Sequence, residues 1–230
     1  MTARDSFKLD RYRSGLFFYQ FQVERHHYAI NADGLIQASR GTLFTAPAKT
    51  ALPTKVSSFL LNSGTVAAAG SGSVVNWENI GHTSNNNKIS FSKDGGDTTT
   101  KDTWLVAGAK SSTEAPTITV SGASVQGDSA TITKVTGGWA GEQGGIVVPL
   151  QPVVQHLALF VLAYDDSDKL SFGLYLPETD FTFDNVSLAD EDFAEFSFNA
   201  VVKSTSVLRA GANGEVGAYQ IFAPETFVSK

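Results

Sequence analysis

Cysteine is absent from the 230 residues. Its absence removes disulfide staples, thiolate metal sites and cysteine nucleophiles together, and leaves the redox compartment open. Basic residues are scarce relative to acids, 17 against 23, for a net charge of −6 and a pI near 5.2. A nucleic-acid binder relying on global positive charge is thereby excluded. Long apolar runs are missing as well. The longest candidate, residues 146–164, is interrupted by Pro149, Gln151, Pro152, Gln155 and His156, whereas a bilayer span needs about 20 predominantly apolar residues. Near the start, Arg4, Lys8, Arg11 and Arg13 precede an apolar patch of only residues 16–19, so neither a secretory signal nor a membrane segment is expected and the chain reads as soluble.

What the chain has in quantity is apolar and aromatic side chains: 42% hydrophobic residues, with 16 Phe, enough to build a core. Their spacing is two-fold far more often than 3.6-fold. Phe17, Tyr19, Phe21 and Val23 share one face of an extended segment against Phe18, Gln20 and Gln22, and Phe196, Phe198, Ala200 and Val202 share one against Glu195, Ser197, Asn199 and Val201. Both segments are expected as strands with one buried face. Residues 157–164 are apolar on both faces, a polar turn (Asp165, Asp166, Ser167, Asp168) follows, and residues 170–176 resume the apolar pattern. This predicts a hairpin whose first strand is covered on both sides.

Residues 62–145 are rich in Ser, Thr, Gly and Asn, with β-prone islands at 88–92, 117–120 and 131–135. Helix is not expected there, since Gly and β-branched residues are poor helix formers. Short helices are expected at 54–61 and at 187–193, the second with Ser187 as N-cap and Asp190, Glu191 and Asp192 in its first turns. The fold class that follows is mainly β: a single sandwich or barrel-type domain with long loops and one or two short helices.

Charge is uneven. Between Asp165 and Glu195 ten acids stand against Lys169 alone, a local charge of −9 that leaves +3 for the remainder. Such a stretch is either a solvated face kept soluble by carboxylates or a surface that sits near nucleic acid without adhering to it.

Catalytic constellations are poorly represented. None of His26, His27, His82 and His156 lies in a G-x-S-x-G elbow. His82 reads as a turn residue, His156 as a satisfied core histidine, and His26 and His27 point to opposite faces of an extended segment. The acids at 165–168 lack the alternate spacing, central Gly and terminal Glu of a calcium loop. Asp94-Gly95-Gly96-Asp97 reads as a tight turn with positive-φ glycines. Gly70-Ser71-Gly72 lacks the Lys of a phosphate loop. Trp77, Trp104 and Trp139 suit buried anchors or subunit contacts, or sugar stacking in a carbohydrate-binding module. No cofactor and no metal site is expected.

Several segments together carry a resemblance: Gly34-Leu35-Ile36, Gly41-Thr42-Leu43, Ala46-Pro47 and Thr50-Ala51-Leu52-Pro53, then residues 77–84 and 94–97 with Trp104, and later residues 157–176 and 187–192. In that order they resemble the tail tube (major tail) proteins of long-tailed phages, those of actinobacteria especially. The resemblance covers residues 34–202 and implies a non-catalytic β protomer that closes into rings, usually of six, stacked into a tube. It implies a virion location after assembly in the host cytoplasm. The partners it implies are the chain itself, the tape-measure, tail terminator and distal tail proteins, and double-stranded DNA that passes without sticking. Three parts are expected: an N-terminal arm at 1–33, a tail tube domain at 34–210 and a C-terminal extension at 211–230. Asp165, Asp166, Asp168, Glu178, Asp180 and Asp184 are the candidate lumen-facing acids. Trp77, Gly81, His82, Thr83, Ser84, Asp94, Gly95, Gly96, Asp97 and Trp104 are the candidate inter-subunit loop residues. A carbohydrate-binding β-sandwich of a phage tail is the alternative reading.

Overall fold

Strands dominate because apolar residues recur at every second position or fill short runs, and because Val, Thr and aromatic side chains suit a pleated, half-buried surface. The computed structural model describes residues 35–70, 75–166, 170–188 and 192–227. Every element described belongs to the unit Ile36–Lys230. The expected strand at 17–23 lies outside the described residues. In chain order the elements are β1 (Arg40–Pro47), β2 (Thr65–Ala67), β3 (Asn76–Asn79), β4 (Ser90–Asp94), β5 (Thr98–Lys101), β6 (Lys110–Thr113), β7 (Thr117–Ser124), α1 (Ser129–Thr136), β8 (Trp139–Ala140), β9 (Ile146–Val147), β10 (Gln155–Asp165), β11 (Leu170–Ser187), β12 (Glu195–Val202) and β13 (Gln220–Phe222).

One antiparallel sheet runs in the order β2-β3-β1-β10-β11-β12-β7-β4, with β13 added beside β11. Its middle rolls up. Residues 80–84, which follow β3, bridge the two distant strands β1 and β7. Ile80 N–H donates to Leu43 O at 3.0 Å, Ser84 N–H to Ala123 O at 2.9 Å, and Val125 N–H to His82 O at 2.8 Å. Thr83 Oγ1 donates to Gly41 O at 3.0 Å, and Thr83 pairs with Ser124. The ring β1-β10-β11-β12-β7 is therefore closed by this segment, and of the sandwich or barrel expected, hydrogen bonding selects the barrel.

Two apolar clusters result. Inside the barrel lie Leu43, Ile80, Val120, Leu159, Val161, Phe181 and Phe198, with Val135 of α1 packed among them. Outside it Phe44, Phe59, Trp77, Phe160, Tyr175 and Phe222 form a second cluster against β1, β10 and β11. Successive β10 residues serve alternate clusters, so the strand expected to be covered on both sides is covered on both sides. Phe59 and Phe160 stack at 4.0 Å between centroids, and Phe181 and Phe198 at 4.9 Å, pairs worth about 0.5–1.5 kcal/mol each beyond area burial.

Three expectations are corrected. Residues 131–135, expected as a strand, lie in α1. The Asp128 side chain accepts from Thr131 N–H at 3.0 Å, and Gly137 ends the helix in the left-handed conformation at φ 63°, so caps at both ends outweigh weak β-branched propensity. The helix expected at 54–61 is only a 3-10 turn at Val56–Ser58. Ser187 is not an N-cap; it ends β11 opposite Glu195, while residues 189–191 lie outside the described residues. Within residues 211–230, β13 pairs with β11 and Phe222, 8% exposed, joins the outer cluster.

Candidate assembly surfaces

The half-sheet β11-β12-β7-β4 has one face in the barrel core and one outside. Register sets the outer face: Thr182 lies opposite Asn199, Asn199 opposite Ser121, and Ser121 opposite Ser90. Asp180, Val201, Thr119 and Ser92 form the next row. Small hydroxyl and amide groups thus cross four strands, and the Ser90 and Ser121 hydroxyls bond each other at 3.0 Å. A polar groove of about 400 Å³ on this face is lined by Asp184, Asn199, Ser121 and Ser90 among others.

Both sides of this half-sheet are open among the described residues. β4 pairs only with β7 and ends the strand order. On the other side, β10 accompanies β11 no further than the Gln155–Phe181 pair, so residues 182–187 pair with β12 alone. An unpaired strand edge is a template for another strand.

β4 and β7 also continue past the sheet into an arm. Gly95 (φ 76°) and Gly96 (φ 85°) take the positive-φ conformations expected of them; the chain kinks there, and β5 and β6 pair as a separate hairpin with all eight residues exposed. At its tip Trp104 is 104%, Leu105 96% and Val106 55% exposed. The tip is a closed turn, with Thr103 N–H donating to Val106 O at 2.9 Å and Gly108 N–H to Asp102 Oδ1 at 2.6 Å.

The residues singled out for inter-subunit contact divide accordingly. Asp94, Gly95, Gly96, Asp97 and Trp104 lie along the exposed arm. Trp77 does not lie in a loop: it is a β3 residue with no exposure, its Nε1–H donating to Ala51 O at 3.0 Å. Gly81, His82, Thr83 and Ser84 form the barrel seam. Ser84 is buried and its hydroxyl donates to Glu195, which also accepts from Asn87 Nδ2. Gly81 sits at φ 85° against Gln126, which accepts from His82 N–H at 3.2 Å. A cleft of about 730 Å³ opens beside the seam, and its lining includes Arg40, His82 and Lys88 but no carboxylate.

Among the described residues, the acids counted along 165–195 do not form one patch. Asp166 pairs with Arg40, whose own pKa is raised by that bond. Glu178 sits 3.1 Å from Lys49, and its pKa is lowered by hydrogen bonds from Thr205 and Lys49. Asp180 accepts from Lys203 at 2.6 Å and meets His156 at 2.7 Å; the Lys203 bond leads in holding its pKa below the usual carboxylate range. His156, expected in the core, has a side chain 69% exposed, because it lies near the start of β10, before the doubly covered stretch. Asp165 is 2% exposed and accepts from Gln37 N–H at 2.7 Å, so it is not a surface charge. Asp184 is exposed at the groove, and Asp168 lies outside the described residues. Sequence reasoning missed Arg40, Lys49 and Lys203, which lie far along the chain from the acids or, for Lys203, just past the block.

Rolled β structure with open edges and a projecting strand arm defines a structural sheet module whose distinctive surfaces are edges and protrusions. The family model described as phage tail tube protein matches residues 28–206, and the chain belongs to that family. It is thus a structural protein of the phage tail tube, located in the virion tail. No curated protein matches the chain. No helix among the described residues is long and apolar enough to cross a membrane.

Proposed function

We propose that copies of this chain join edge to edge into rings, six to a ring, that stack into the tube conveying the phage genome. The observation that carries this reading is the pair of open edges on one half-sheet. β11, β12, β7 and β4 alternate in direction, so β4 of one copy meets residues 182–187 of the next in antiparallel sense. A head-to-tail contact of this kind closes when the rotation per copy divides a full turn, and closure pairs both open edges of the half-sheet.

The hydroxyl and amide face of that half-sheet then turns to the lumen, with Asp94, Asp180 and Asp184 among its acids and Asp180 already partnered by Lys203. Such a face gives phosphates no array of cations to bind, and each avoided contact removes some retention of sliding DNA. Before ejection the lumen holds the tape-measure protein. Terminator and distal tail proteins meet the two ends, and assembly takes place in the host cytoplasm. Residues 1–33 act as an arm onto a neighbouring copy.

Negative-stain microscopy of the purified protein tests the reading, with tubes or rings of uniform width expected. A proline scan of β4 tests the edge. Outward-pointing N–H positions lose no bond to β7 when replaced, so those variants keep the protomer's melting temperature and lose assembly. Tubes that form from every proline variant would overturn edge pairing, and discrete particles that bind glycans would favour the carbohydrate-binding alternative.

A further inference from the structure

Aspartate or asparagine is followed by glycine at three places, Asp33–Gly34, Asp94–Gly95 and Asn213–Gly214. At such a dipeptide the backbone nitrogen can attack the preceding side chain, because glycine has no Cβ to obstruct the approach. The first lies outside the described residues, and the other two are held in opposite ways. At the end of β4, Gly95 N–H points at the carboxylate before it and donates to Asp94 Oδ1 at 2.9 Å. Asp94 is exposed, and Gly95 and Gly96 follow it in positive-φ conformations. At Asn213 both reacting groups are engaged elsewhere. Gly214 N–H donates to Gly211 O at 3.1 Å, and the Asn213 side-chain amide donates to Glu215 Oε1 at 2.9 Å.

We propose that Asp94–Gly95 is a site of spontaneous isoaspartate formation, and that the modification resets the hinge of the β5–β6 arm. The Gly95 nitrogen, having given up its proton, attacks Asp94 Cγ; an N–Cγ bond forms, the carboxyl hydroxyl leaves as water, and a five-membered succinimide closes. Water then opens the ring at one of its two carbonyls. Cleavage of N–Cγ restores aspartate, whereas cleavage of the original peptide bond leaves Gly95 joined through Cγ and the former backbone carbonyl as a free carboxylate. Composition, charge and oxidation state are unchanged, and water is the only co-reactant. Holding the nitrogen beside the carboxyl supplies an orientation that an unfolded chain lacks. The product has one more carbon in the main chain, at a place where two segments cross from sheet to arm. Asp94 opposite Thr117 is the last pair of the sheet, and Thr98 opposite Thr113 is the first pair of the arm. Between them Glu114 N–H donates to Asp97 O at 3.0 Å, while Pro116 has no N–H to give. Only the outgoing segment lengthens, so the Glu114–Asp97 bond breaks and the arm leaves its original angle to the sheet. The chemistry is that of the single chain and does not depend on the tube reading.

The test compares folded and denatured full-length protein kept at neutral pH and physiological temperature. Peptides from timed samples are sequenced by electron-transfer fragmentation, which distinguishes isoaspartate from aspartate. Isoaspartate at position 94 is expected to form about tenfold faster in the folded protein than in denaturant, and at position 213 about tenfold more slowly. Asp94→Glu, whose ring would need six members, forms no such product at 94 and keeps the parent's melting temperature. Amide hydrogen exchange on aged protein reads the hinge: protection of Glu114 N–H falls in proportion to the isoaspartate at 94 and persists in aged Asp94→Glu. A folded protein in which position 94 reacts no faster than in denaturant overturns the site. Isoaspartate at 94 with Glu114 N–H still protected overturns the resetting of the hinge.

Discussion

Replacing Trp77 and Trp104 separately distinguishes the two roles that tryptophan plays in this chain. Trp77 is fully buried, with its ring edge-on to Phe59 at 5.7 Å and to Tyr175 at 5.9 Å, and its indole N–H bonded to Ala51 O. Trp77→Ala removes that burial, opens a cavity between two aromatic rings and orphans a carbonyl, a combined loss of about 4 kcal/mol. At roughly 2–4 °C per kcal/mol for a domain of this size, the melting temperature falls by roughly 8–16 °C. Trp77→Phe keeps most of the ring and leaves Ala51 O unpaired, for about 1–2 kcal/mol. Trp104→Ala touches a side chain already in solvent and stays within about 0.5 kcal/mol, while assembly is impaired. The assay is thermal unfolding followed by circular dichroism on dilute protein, because assembly would raise apparent stability by mass action. A Trp77→Ala protein that melts within about 3 °C of the parent would refute the assignment of Trp77 to the core, and a comparable drop for Trp104→Ala would refute a free arm tip.

Other outcomes follow from single contacts. Asp128→Ala removes the α1 cap and costs about 1 kcal/mol. Asp128 is held at about 2 by the Thr131 N–H and by side-chain bonds from Gln126 and Thr131, so its contribution is complete above pH ~4 and fades as pH falls towards 2; an acid titration of stability loses that component in the variant. Tyr175 donates its hydroxyl to Thr50 O at 2.7 Å, and burial pushes its pKa up to about 12 from 10.0. Its contribution is complete below pH 10 and is lost as pH rises through 12, so Tyr175→Phe flattens alkaline unfolding and removes a phenol that ionises near pH 12 from an ultraviolet titration. At Gly173 a Cβ would meet the Phe160 and Phe227 rings, each at 2.8 Å. Gly173→Ala therefore costs about 1–3 kcal/mol by overpacking, measured by denaturant titration, and a neutral result would show that the C-terminal Phe227 does not lie over the sheet.

Much of the architecture is legible in residue order because a period of two is a local signal. The β12 alternation and the doubly apolar β10 both announce themselves within eight residues. Helix α1 was missed, because its β-branched residues pointed to a strand and the framing Asp128 and Gly137 decide for a helix. Barrel closure was not legible, since residues 80–84 read as an ordinary turn and gain their role only by reaching β1 and β7 at once.

By itself the sequence determined a cysteine-free, mainly β chain with an acidic block, an apolar core and the segments of the tail tube family. Tertiary structure decided which of those acids carry unpaired charge and which tryptophan faces solvent. The physical reason is distance along the chain: Arg40 reaches Asp166 across 126 positions, and Ser84 reaches Glu195 across 111. Charge counted along a segment omits the bases that sheet register sets beside it, so among the described residues the acids of that run divide into ion-paired Asp166, Glu178 and Asp180, buried Asp165 and Glu195, and exposed Asp184 and Asp192.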